Sequence, residues 1–144
     1  MSNSLYDRDF YAWANEQAAL LRAGKLAEAD IANIAEEIES MGRSEKRELV
    51  SRLTVLLLHL LKWQFQPALR GNSWGLTIEE QRYRSEDHLQ DNPSLKAQLP
   101  QIVQMAYRLA SLEAQRETGL VRSTFPAECP YTFEQAIASD FWPE

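Results

Sequence analysis

The residues best suited to chemistry stand in one run, "VLLLHLLKWQFQP" (55–67), where His59 sits among leucines and is followed by Lys62 and Trp63. An imidazole in apolar surroundings can serve as an acid–base group, and a lysine one turn further on can hold an anion. At about 100° per residue on a helix, Glu48, Arg52, Lys62 and Gln66 all fall within about 60° of His59, and Trp63 borders them. His59 therefore belongs to a polar seam on a helix that is otherwise largely apolar.

A second line of residues could meet that seam. On the next predicted helix, Trp74, Ile78, Gln81, Ser85 and His88 share one face, which is polar for a buried one. An antiparallel hairpin through the turn at 67–73 would set His59 level with Gln81, close to Ile78 and Arg82, and Arg52 level with His88. Two outcomes follow. One is a sealed hydrogen-bonded network in which Gln81 or a water satisfies His59. The other is a small polar pocket walled by Trp63 and Trp74, in which Lys62, Arg70 and Arg82 hold a phosphate or carboxylate. The candidate binding residues are Arg52, His59, Lys62, Trp63, Arg70, Trp74, Gln81 and Arg82, and no residue is assigned a catalytic role.

Several sharper chemistries are excluded by spacing. Di-metal carboxylate helices need Glu three residues before His, whereas Leu56 precedes His59 and Ser85 precedes His88. Two histidines and the single Cys129 share no zinc spacing, and no metal or cofactor is expected. Cys129 stands between Glu128 and Pro130 with no evident base, so it makes a poor nucleophile. Neither a phosphate-binding glycine loop nor a Gly-x-Ser-x-Gly elbow is present.

The elements that position the seam follow from apolar spacing and stop signals. A first helix is expected from an Asp7 cap to Gly24, with Tyr6, Phe10, Trp13, Leu20 and Leu21 on its apolar stripe. A second is expected over 30–41, stopped by Gly42, with Ile31, Ile34, Ile38 and Met41 as its buried face. Ser44 would cap the third, central helix, which Pro67 closes, and Glu37 would pair beside Glu48, far from His59. A fourth helix spans 73–90. A fifth runs to Thr118 and Gly119, with Leu95, Leu99, Ile102, Val103, Ala106 and Ala110 facing the core. Pro100 either kinks this helix or opens its main part. Thr132 and Gln135 form a capping box before a short last helix, and the aromatic tail is expected to pack back on the body. The fold class read from this is all-α: a single domain over 1–144, a bundle of about five helices plus a short C-terminal helix.

Charge and composition bound the function classes. The 144 residues carry 15 basic and 21 acidic side chains, net −6, which argues against a generally basic nucleic-acid binder. The charge is uneven: residues 1–42 are net −5, residues 43–84 net +4 and residues 85–144 net −5. The basic middle could face an anionic partner or pair locally with neighbouring helix faces. One cysteine rules out an internal disulfide, no basic-then-apolar leader is visible, and the run Leu53 to Leu61 falls well short of the roughly 20 residues that span a bilayer. A cytoplasmic protein with no membrane segment is expected.

At "LYDRDFYAWANEQAALLRAG", "IANIAEEIESMGRSEKREL", "HLLKWQFQP", "SWGLTIEEQR" and "FPAECPYTFEQ" the chain resembles the bacterial domain-of-unknown-function 29 family, in order and over nearly its whole length. The resemblance implies a mainly helical fold and a cytoplasmic bacterial setting, and it supplies no catalytic residue. The first functional expectation is a small helical interaction module without catalysis, binding a protein partner or itself as a homodimer. The alternative is an enzyme or binding protein for a small anionic or nucleotide-like molecule at His59, Lys62 and Arg82. Nucleic-acid binding through 43–84 is the weakest reading.

Overall fold

The computed structural model describes residues 4–144, and within them the fold is all-α, with no strand. Six helices run in order: α1 (Leu5–Arg8), α2 (Phe10–Arg22), α3 (Ile31–Phe65), α4 (Asn72–Asp91), α5 (Leu99–Thr118) and α6 (Phe133–Ile137), joined by short 3₁₀ turns. The chain forms two compact units, Met1–Ser44 and Glu45–Glu144, and α3 passes through both. Among the described residues no helix is long and apolar enough to cross a membrane.

The first unit is a helical hairpin with very little interior. Ser4 caps α1, and the cap of α2 is Asp9 rather than Asp7: the Asp9 carboxylate accepts from the Ala12 amide at 3.1 Å, and its extended φ breaks the helix there. Gly24 ends α2 as expected. Its φ of +74° lets the Lys25 amide bond back to the Leu20 carbonyl at 2.9 Å and the Gly24 amide to that of Leu21 at 3.0 Å, a Schellman closure. Trp13 and Gln17 are this unit's only buried residues among those described. Trp13 packs edge-on against Tyr6 at 4.7 Å and donates through Nε1 to Asp30 at 3.1 Å, while the Gln17 carbonyl accepts from the Asp30 amide at 2.7 Å. Tyr6 donates to Glu37, which pushes the phenol up to about 12.

Three expectations fail in this unit. Gly42 does not stop a helix, so no hairpin forms there to set Glu37 beside Glu48, and both lie on α3. A lone glycine costs a helix only about 1 kcal/mol, which a long run of helix formers on both sides outweighs. Ser44, expected as a cap, instead bonds back to the Ser40 carbonyl at 3.1 Å. Nor are Ile31, Ile38 and Met41 buried: they are 53%, 59% and 61% exposed. The hairpin closes over Asp30, Asn33 and Glu37 through polar contacts, which turns the isoleucine stripe outward.

The second unit holds the core. Leu49, Leu53, Leu56, Leu57, Leu60 and Leu61 of α3 meet Ile78 of α4 and the small-residue face Ala106, Ala110 and Ala114 of α5. The small alanines leave room for the bulky leucines that share this core. A 3₁₀ stretch over Pro93–Gln98 precedes α5, so Pro100 sits in the first turn of the main helix, where its missing amide costs nothing. Gly119, at φ +73°, closes α5, and Thr132 and Gln135 form the reciprocal capping box of α6. The tail returns to this unit: Trp142 lies 4.7 Å from Trp63, and Phe141 is 5.7 Å from Tyr131.

Candidate functional site

Most of the seam's polar residues are held by partners within the chain. His59 is half-buried, and its Nδ1 lies 2.8 Å from the Val55 carbonyl one turn back on the same helix. A carbonyl can only accept, so Nδ1 carries the proton of the neutral ring. Burial lowers the His59 pKa, Lys62 adds to that, and the Val55 bond and Glu117 oppose it. Gln81, expected beside His59, is buried with its Oε1 unpartnered, as is the Ser85 hydroxyl one turn on.

The cations are committed to the fold. Lys62 Nζ lies 2.9 Å from Glu117 on α5 and 4.8 Å from the centre of the Trp74 ring. Arg70 donates to the Trp63 carbonyl at 2.6 Å and to the Pro143 carbonyl at 3.3 Å, with its head over the Trp63 ring. Arg82, almost fully buried, donates to the carbonyls of Ala136, at 2.8 Å, and Phe141, and stacks on Trp142. Arg52 pairs with Glu48 one turn back at 3.0 Å and not with the α4 face. His88 reaches the Glu45 carbonyl at 2.8 Å, about two turns from its expected level beside Arg52. Near the turn the register is closer to expectation, since a Cβ on Gly75 would lie 4.0 Å from Trp63. Arg43 and Arg84 also pair locally, so the basic middle is mostly spent inside the chain.

A large concavity lies elsewhere in the second unit. A groove of about 1210 Å³ runs between α5 and the irregular segment 122–134. Leu99, Val103, Tyr107, Phe125 and Phe133 supply its apolar surface. Tyr107 donates to the Pro126 carbonyl at 2.5 Å and Tyr131 to Gln64 at 2.6 Å, which pins the irregular wall. Burial raises the Tyr107 phenol to about 12. Cys129, also in this wall, donates to the Tyr131 carbonyl at 3.3 Å, and burial raises its pKa, so it stays a thiol. Lys96, Arg108 and Arg122 line the groove, and none has an acidic partner among the described residues. Glu128 and Glu134 also line it, on the same irregular segment as Arg122.

His59 and Lys62 line neither this groove nor the smaller one of about 390 Å³ beside Arg82 and Trp142. Sequence reasoning missed the large groove because half of it is non-helical. One signal was available: Leu99, Val103 and Tyr107 recur every four residues on α5 and line the groove together.

Residues 5–142 match the family described as Domain of unknown function DUF29. No curated protein and no solved structure matched the chain.

Proposed function

We propose, from the premise that the chain belongs to the DUF29 family, that it is a non-catalytic interaction module whose docking surface is the groove between α5 and segment 122–134. The ligand this groove suits is an acidic amphipathic helix. The observation that carries the reading is the pairing of an apolar floor with three cations, Lys96, Arg108 and Arg122, that have no acidic partner among the described residues. An apolar helix face would bury against Leu99, Val103 and Leu112, and its carboxylates would meet the cations at the rim. The seam supports the same reading from the other side. His59, Lys62, Arg70 and Arg82 are each tied to a carbonyl or carboxylate of their own chain, which leaves no convergent set for acid–base work.

The test is fluorescence anisotropy with a labelled amphipathic helix bearing leucine on one face and glutamate on the other. Saturable binding is expected, weakened by Leu112→Glu and Arg108→Glu and by added salt, and unchanged by His59→Gln. Binding that ignores both groove substitutions, or no binding by the chain in its monomeric state, overturns the proposal.

A further inference from the structure

We infer that the acidic helix seated in this groove is the first unit of a second copy of the chain, docking through Ile31, Ile38 and Met41; the inference rests on the groove reading above. Three observations converge on this occupant. The first unit buries only Trp13 and Gln17 among its described residues, while the isoleucine stripe is more than half exposed. A hairpin of this size rarely gains enough from its own interior, so an external apolar surface completes it. Charge then selects that surface. Residues 1–42 are net −5, so hairpin against hairpin would bring two acidic surfaces together, whereas the groove lining has a positive excess, Lys96, Arg108 and Arg122 against Glu128 and Glu134.

Length agrees as well. The stripe from Ile31 to Met41 is about 15 Å long on its helix, and the groove follows α5 from Pro100 to Gln115, about 22 Å. A contact between two different patches closes as a dimer when it is reciprocal, each copy's hairpin occupying the other's groove about a two-fold axis. A non-reciprocal contact would instead build a larger ring or a filament.

Light scattering on the full chain as it elutes from a sizing column tests this directly. A dimer is expected that weakens with salt. Ile38→Glu and Leu112→Glu, both at exposed positions, should each weaken association by about tenfold or more, and Arg108→Glu should do so without touching the apolar surface. Circular dichroism confirms that each variant is folded. Mixing the Ile38→Glu and Leu112→Glu variants should restore association, because one intact hairpin still meets one intact groove. A dimer indifferent to Leu112→Glu and Arg108→Glu, or no recovery on mixing, overturns the inference. A monomer that still binds the labelled helix removes the second copy as occupant and leaves the groove reading standing. A monomer that binds no helix removes both.

Discussion

Lys62 of α3 and Glu117 of α5 form an ion pair at 2.9 Å over the face of Trp74, and the two side chains are unequally covered: 11% of the lysine is exposed against 40% of the glutamate. The nearly buried cation depends on its partner more than the half-exposed anion does. Glu117→Gln should therefore destabilise the chain by about 1–2 kcal/mol, since it leaves a covered ammonium without its counter-charge. Lys62→Met keeps the aliphatic packing and frees Glu117 into water, so it should cost less. Urea melts of both singles and the double give the coupling between them; equal losses in the two singles would contradict this asymmetry.

Arg82 fastens the tail. Its guanidinium bonds two carbonyls, of Ala136 and Phe141, and lies 5.0 Å from the centre of the Trp142 ring. Arg82→Ala should cost about 2–3 kcal/mol through the lost charge-assisted bonds and expose the segment after Ala136 to hydrogen exchange. Arg82→Lys should recover little, because an ammonium lacks the planar fork that spans both carbonyls. Exchange rates at 136–142 that match those of the intact chain in the alanine variant would show the tail held by other contacts.

Gly42 and Gly119 should respond in opposite ways to alanine. A Cβ at Gly42 meets nothing within 4 Å and the backbone there is ordinary helix, so Gly42→Ala should stabilise by about 0.5–1 kcal/mol. Gly119 has equally open space but holds φ at +73°, so Gly119→Ala should destabilise by about 1 kcal/mol. Thermal melts that moved both variants in the same direction would refute the assignment of their roles.

Those two glycines also show what the sequence makes legible. A helix stop can be read where a second signal agrees, as at Gly119, where the apolar period ends, or at Pro67. At Gly42 the glycine stood alone, and its small cost is overridden by the helix around it. The reciprocal cap of Thr132 and Gln135 and the opening role of Pro100 were readable because each is settled within a few residues. The cations were not readable in the same way. Arg70 and Arg82 bond main-chain carbonyls of the distant tail, and carbonyls leave no trace in residue type or spacing. The groove escaped for a related reason: its second wall has no periodicity, and only its α5 wall is encoded as a pattern. The isoleucine stripe was correctly read as apolar, but its face was assigned to an interior that the small hairpin does not have.

His59 gives the chain a pH dependence whose sign follows from its setting. Burial lowers the imidazole pKa and Lys62 lowers it further, while the Val55 carbonyl and Glu117 pull the other way without reversing the shift. The folded value therefore lies below the unfolded one, near 6.5. The neutral ring's contribution is complete above about pH 6.5 and is lost as the pH falls through the folded value, because the unfolded chain binds the proton first. The urea midpoint should thus drop between about pH 7.5 and pH 5.5, and His59→Leu should flatten that part of the profile. Nδ1–H would lose its bond to Val55 in that variant, but the carbonyl keeps its helical hydrogen bond, so the loss at neutral pH should stay small. A profile that keeps its full slope in His59→Leu would assign the dependence to other groups and leave His59 with a packing role alone.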